Sequence, residues 1–190
     1  MLKFTELNIK KRGKNHKIIA KWASTEVGKN GTWSPKWTKE SNQFLSADLN
    51  NCIERIIPHI LFGAEYISDE IQLDGDMNYN KWFNEHEYLD DDRFTGVEIT
   101  KIQFIGNEVL DSVKIWGHKI TQRTEKPFKA PLETPVISLT RGTDHQYPLV
   151  VLLDEHMNNL LLALDNWLER GETLSKAEQQ SLFEQVEAEA

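Results

Sequence analysis

Alternating apolar and polar positions predict strands at the start of the chain. Residues 2–11 and 16–24 predict a β-hairpin, and its connection, RGKN, contains Gly13 and Asn15, which readily adopt the positive φ of a turn. Residues 26–44 contain two glycines, an Asn-Gly pair and a proline. They predict a loop with at most a short strand around Trp33–Trp37.

A second group of strands is predicted from Val97 onwards. In VEITKIQFIG the apolar residues fall at 97 and 99 and then at 102 and 104, and this slip predicts a β-bulge between 100 and 101. VLDSVKIWGHKITQ predicts the next strand, with an irregularity at Gly117, and TPVISL predicts a third after a proline-marked loop. Sequential strands of this kind favour an antiparallel meander over residues 96–140.

The period changes to about 3.6 residues in two places, which predicts two long helices. The first begins after Ser46, whose side chain can cap it, and Pro58 should kink or end it near residue 57. The second is a leucine-rich stripe between Pro148 and Gly171, and the capping box SKAE at 175–178 predicts a shorter helix after it. The predicted fold class is α+β: a mostly antiparallel sheet, from the N-terminal hairpin and the 96–140 meander, packed against two long helices.

The chain of 190 residues, 39% of them hydrophobic, predicts a single domain over 1–190. Residues 65–93 predict an acidic excursion from that domain, ordered because aromatic residues are interleaved with the acids. The acidic C-terminus, 184–190, is expected to fray. No apolar run has the length of a membrane span, there is no signal-peptide core, and the only cysteine is Cys52, so we expect a cytoplasmic protein without an internal disulfide.

Charge is distributed unevenly along the chain. The formal net charge is −8, yet residues 1–42 contain ten Lys or Arg and three Glu, a net of +7, and residues 43–190 carry −15. Such asymmetry indicates a basic binding face, an acidic tail or both. The alternative is two solvated surfaces that attract each other within one fold.

The chain contains no phosphate-binding glycine loop, nucleophile elbow, zincin motif or EF-hand, and we expect a non-enzymatic protein without cofactors. Two segments are weaker candidates for a site. In 84–92, His86 and Asp90 have metal-ligand spacing but lack a second histidine, which favours a solvated acidic surface. In 142–148, Asp144 and His145 could perform acid–base chemistry with His118, although Asp144 is more simply explained as a helix-entry residue.

The opening stretch combines basic and aromatic residues, as single-strand binders do, because cations neutralise phosphates and aromatic faces stack on unpaired bases. The predicted nucleic-acid-binding residues are Lys10, Lys11, Arg12, Lys14, Lys17, Lys21, Trp33, Lys36, Trp37 and Lys39. Two alternatives remain open: the tryptophans could belong to the core, and the lysines could protect an edge strand from aggregation.

The runs TGVEITKIQFIGNEVLDSVKIWGHKIT, LETPVISL and LLLALDNWLERG, within residues 95–171, resemble small uncharacterised proteins of tailed bacteriophages and prophages. The resemblance implies a phage protein in the host cytoplasm that acts on nucleic acid or on a host system. We therefore expect a phage-type nucleic-acid-binding protein, with single-stranded DNA or RNA favoured. The alternative is an anti-defence inhibitor that binds a host defence protein or sequesters a small nucleotide signal, and a homo-oligomer also remains open.

Overall fold

The computed structural model describes residues 3–12, 15–24, 26–28, 31–41, 45–66, 94–106, 110–121, 127–139 and 149–170. Most of the predicted acidic excursion, the segments 84–92 and 142–148, the predicted helix after 175 and the acidic C-terminus lie outside these residues. The predictions made for those segments, and that of a single domain over 1–190, stay predictions.

One seven-stranded antiparallel sheet forms the frame of the molecule, in the order β5-β2-β1-β6-β7-β8, and β9 pairs with β7 beside β8. A separate two-stranded hairpin consists of β3 and β4. The strands are β1 Lys3–Arg12, β2 Asn15–Ala23, β3 Glu26–Gly28, β4 Gly31–Trp33, β5 Lys36–Glu40, β6 Val97–Ile105, β7 Ser112–Thr121, β8 Phe128–Glu133 and β9 Ile137–Ser138. The predicted N-terminal hairpin, meander and α+β class are confirmed.

The hairpin and the meander meet along a short seam. Strands β1 and β2 pair through nine positions and β6 and β7 through eight, whereas β1 and β6 pair only through Glu6, Leu7 and Asn8 opposite Gln103, Ile102 and Lys101.

Four strands differ from the sequence prediction: β3, β4 and β5 lie in the stretch predicted as a loop with at most a short strand around Trp33–Trp37, and β8 lies in another predicted loop. The stretch predicted as a loop contains β5, which lies alongside β2 and is fixed at its end by Ser41: the Ser41 amide donates to the Ile18 carbonyl, and the Ile18 amide donates to Ser41 Oγ, both at 2.9 Å. The third strand of the meander is mainly β8, where a loop was predicted. Pro131 is tolerated there because β8 is an edge strand, on which a missing amide donor need not break a ladder.

The predicted bulge is confirmed, since the β6–β7 register shifts between Ile99 and Lys101. Gly117 lies opposite Ile99, and a β-carbon there would overlap the carbonyl oxygen of Glu98. Position 117 of β7 therefore has no room for a side chain next to the bulge of β6.

The helices are α1 Ala47–Glu54, α2 Ile57–Gly63 and α3 Val150–Arg170. Ser46 caps α1, its Oγ accepting a hydrogen bond from the Leu49 amide at 3.3 Å. The first predicted helix is thus two short ones, because Pro58 occupies the first turn of α2, where a missing amide donor costs little. Gly63 is the last residue of α2.

The three helices of the described residues lie on one side of the sheet, which we call the helical face. The predicted stripe of α3 is buried in a core shared with alternate residues of β1, β2, β6 and β7. These buried residues are Leu149, Leu153, Met157, Leu160, Leu161 and Leu164. The side of the sheet opposite the described helices is called the open face.

Candidate nucleic-acid interface

The open face is rich in lysine. Directly paired residues of neighbouring strands share a face, so the register assigns each strand residue to one side of the sheet. Among the described side chains, the open face carries eight lysines and four glutamates: Lys3, Lys10, Lys17, Lys21, Lys36, Lys101, Lys114, Lys129, Glu6, Glu40, Glu98 and Glu133. It is a net positive surface on a chain whose formal charge is −8.

The predicted binding residues are divided between the two faces. Lys10, Lys17, Lys21 and Lys36 come together on the open face. Trp37 and Lys39 lie on the helical face, and the Lys39 ammonium sits 4.7 Å from the ring centroid of Trp167 in α3. The predicted set therefore does not form one continuous patch.

The remaining predicted residues are only partly placed. Lys11 and Arg12 belong to β1 and Trp33 belongs to β4, but the side chains of all three lie outside the described part, as does the whole of Lys14. The contribution of these four residues to binding stays a prediction.

Trp116 lies near the middle of the open face, between two cations. The Lys101 ammonium, from the neighbouring strand, is 4.9 Å from its ring centroid, and the Lys114 ammonium, two residues earlier on β7, is 5.0 Å away. The indole ring attracts cations, so it stabilises both ammonium groups at one place on the sheet. Sequence reasoning missed this group, although the alternation of VKIWGHKIT already places Lys114, Trp116 and His118 on one side of a strand.

Ion pairs hold most of the open-face lysines in place. Glu6 contacts Lys21 at 2.5 Å and Lys101 at 2.7 Å, and hydrogen bonds from Lys101 and then Lys21 lower the pKa of Glu6 to about 2. Glu40 contacts Lys17 at 2.5 Å.

Towards β8 the pattern of ion pairs continues. Glu133 contacts Lys114 at 2.5 Å, and the hydrogen bond from that lysine lowers the pKa of the Glu133 carboxyl. In contrast, Lys10 and Lys36 form no ion pair with any described carboxylate.

His118, considered above as a base, also lies on the open face. Its Nε2 is 2.6 Å from Glu98 Oε2 and 3.1 Å from the Lys129 ammonium, which is itself 3.7 Å from Glu98. A single imidazole nitrogen cannot both donate to Glu98 and accept from Lys129. The distance to Glu98 is the shorter of the two, which indicates that Nε2–H donates to the Glu98 carboxylate. Because Asp144 and His145 lie outside the described residues, the acid–base hypothesis stays a prediction.

A pair of histidines that sequence reasoning missed is buried beneath the sheet. His59 of α2 and His156 of α3 are 0% and 2% exposed, and His59 Nε2 lies 2.9 Å from His156 Nδ1. Burial lowers the pKa of both, that of His156 to about 4 with a further contribution from the charge of Arg55. The pair is therefore neutral at neutral pH. It does not belong to a metal-binding cluster within the described residues, because no three or more metal-ligating side chains come together there.

A polar groove of about 480 Å³ separates α1 from α3. Asp48 and Arg55 offset each other's charge along it, and the half-buried Cys52 lies in its wall. Burial raises the pKa of the Cys52 thiol. This balance of charge gives the groove no preference for anions, in contrast with the open face.

None of the described helices combines the length and the apolar character needed to cross a membrane. Comparison with known proteins gives no assignment: no protein-family model, no curated protein and no solved structure matches the chain. The resemblance to phage proteins therefore stays a prediction, and the function must be argued from the open face.

Proposed function

We propose that the protein binds the phosphate backbone of nucleic acid, with single strands favoured, through the open face of its sheet. The observation that carries the proposal is the excess of eight lysines over four glutamates on this face of an acidic chain. Concentrated positive charge is the main source of affinity for polyphosphates.

The ion pairs set the lysines in position for phosphates. Each ammonium group has three donors, so a lysine that contacts one glutamate can still donate to a phosphate oxygen. Lys101 and Lys114 are held beside Trp116, which fixes two cations within reach of one backbone segment. The four glutamates limit the total attraction, and Lys3, Lys10 and Lys36 contribute positive charge that is not paired with any described carboxylate.

The preference for single strands rests on the shape of the surface. An open sheet with an aromatic side chain among basic ones is the arrangement by which many modules bind unpaired strands, because a base can stack on the ring while the backbone follows the cations. Trp116 is the aromatic side chain in that position, with the described helices all on the other face of the sheet.

The salt dependence of binding provides the first test. If four phosphates are neutralised, matching the excess of lysine, the slope of log K against log salt is about −3 for a single strand. Anisotropy titrations of a labelled strand of roughly 30 nucleotides at several salt concentrations would measure it. Lys10→Ser combined with Lys36→Ser should reduce the slope by about 1.4 without leaving a described carboxylate unpaired.

Lys39→Ser is the matched control, because it removes one positive charge from the helical face. It should leave the slope unchanged. Absence of binding at low salt, or an equal effect of the Lys39 variant, would contradict the assignment to the open face.

A second experiment tests the preference for single strands. Trp116→Leu should weaken single-strand binding by about 1–3 kcal/mol with little change in the salt slope, since stacking is not ionic. Phe128→Leu, an exposed aromatic of the helical side, is the control. Equal affinity of the unmutated protein for a duplex and a single strand would refute the preference and leave only backbone binding.

A further inference from the structure

Strand β5 ends the sheet and presents an exposed edge. No described strand pairs with its outer side, and four of its five residues are exposed: Lys36, Trp37, Thr38 and Glu40. Trp37 is 48% exposed even though its indole N–H donates to Ser24 Oγ. A free edge with a large exposed aromatic side chain is a surface onto which another strand can add.

The hydrogen bonds at the two ends of β5 determine which backbone groups point outwards. The Ser24 amide donates to the Pro35 carbonyl, and the Ser41 amide donates to the Ile18 carbonyl. Hydrogen-bonded and non-hydrogen-bonded pairs alternate along an antiparallel ladder, so Trp37 and Lys39 direct their backbone groups towards β2. The amides and carbonyls of Lys36, Thr38 and Glu40 therefore face the free edge.

The sequence of β5, KWTKE, complements itself when it is read against its own reverse. We propose that β5 pairs antiparallel with β5 of a second copy of the chain, about a twofold axis at Thr38. Lys36 then lies opposite Glu40 of the second copy, and Trp37 lies opposite Lys39. The outward backbone groups of Lys36, Thr38 and Glu40 supply the hydrogen bonds in this register.

The charges select this register over its neighbours. If the two strands slide by one step in one direction, Lys39 lies opposite Lys39 of the second copy, and the like charges repel. If they slide in the other direction, Lys36 lies opposite Thr38, and Glu40 has no cation across the pair. Glu40 already contacts Lys17, but a carboxylate accepts about four hydrogen bonds, so Lys36 of the second copy can join it. Trp37 lies beside Lys39 of the second copy, whose aliphatic stem covers part of the exposed indole while its ammonium stays at Trp167.

The resulting interface is small. Two five-residue strands bury less than the roughly 1,200 Å² of a stable complex, so the dimer should form reversibly at high micromolar concentration. It would make one continuous sheet with both open faces on the same side. The pairing itself does not depend on what the open face binds.

Sedimentation velocity over a concentration series tests the proposal. The unmutated chain should shift from monomer to dimer as concentration rises. Lys36→Glu and Glu40→Lys, each made alone, place like charges opposite each other twice and should weaken dimerisation by about tenfold or more. Mixing the two variants should restore it, because in the heterodimer the two acidic side chains of one copy face the two basic side chains of the other.

Thr38→Pro tests the backbone pairing separately. Because the Thr38 amide points outwards, proline removes a donor to the second copy and not to β2, whereas Thr38→Val keeps that donor and is the control. A monomer at every concentration up to about 1 mM overturns the proposal. A dimer that survives the charge reversals, or a mixture that stays monomeric, overturns it as well.

Discussion

The buried pair of His59 and His156 should make the fold sensitive to mild acid. Both side chains are neutral in the folded state, because burial lowers the pKa of each. In the unfolded chain their pKa values return to about 6.5. At pH values between the folded and unfolded pKa, the unfolded chain binds more protons than the folded one. The contribution of the pair to the free energy of unfolding is therefore fully present above about pH 6.5, and it is lost as the pH falls towards the pKa of the folded state.

The magnitude follows from the shift at His156. With a pKa of about 4 when folded and 6.5 when unfolded, this residue alone lowers the free energy of unfolding by about 2 kcal/mol between about pH 7 and pH 5. His59 acts in the same direction. Glu6 contributes in a separate window, because its pKa of about 2 lies below the ordinary value of 4.5 and its contribution is lost only as pH falls from 4.5 to about 2.

Urea denaturation at about pH 7 and pH 5 would measure the effect. The variant for comparison combines His59→Gln with His156→Asn, whose amides retain hydrogen-bonding groups at similar reach but do not titrate. The unmutated protein should lose about 2 kcal/mol or more, and most of that loss should disappear in the double variant. An equal loss in both proteins would show that other groups cause the acid sensitivity.

Three further outcomes are expected. Leu161→Ala should lower the free energy of unfolding by about 2–5 kcal/mol, whereas Leu162→Ala, at a neighbouring residue 58% exposed, should change it by less than about 0.5 kcal/mol in the same urea titration. Gly117→Ala should cost about 1–3 kcal/mol, since its β-carbon would overlap the Glu98 carbonyl, and an unchanged urea midpoint would refute that account. Cys52 should react with a thiol reagent more slowly at neutral pH in the native than in the unfolded protein, because burial raises its pKa; equal rates would contradict this.

Local sequence patterns predicted much of the fold because the features concerned are local. The N-terminal hairpin, the bulge after Ile99, the cap at Ser46 and the break at Pro58 depend on period, turn residues and backbone chemistry within a few positions. Strand β5 was predicted only as a possible short strand around Trp33–Trp37, because an edge strand with nearly every residue exposed lacks apolar alternation.

The site was harder to predict for a different reason. The open face combines lysines of the hairpin with Lys101 and Lys114, and only the β1–β6 pairing brings them together. Trp37 was assigned to the binding set by its place in the sequence, but its side of β5 depends on the register with β2. The contact between His59 and His156 likewise joins residues 97 positions apart, for which a single sequence provides no signal.

The seam between the hairpin and the meander has a consequence for how the sheet assembles. Each half of the sheet is built from segments that are close in sequence, so it can form quickly. The seam joins residues 6–8 to 101–103, so a long loop must close, at a cost in entropy, to form only three residue pairs. Closure of that seam should therefore dominate the folding time. The ion pairs of Glu6 with Lys21 on one side and Lys101 on the other span this junction, so a single carboxylate connects the two halves at the step that is slowest to form.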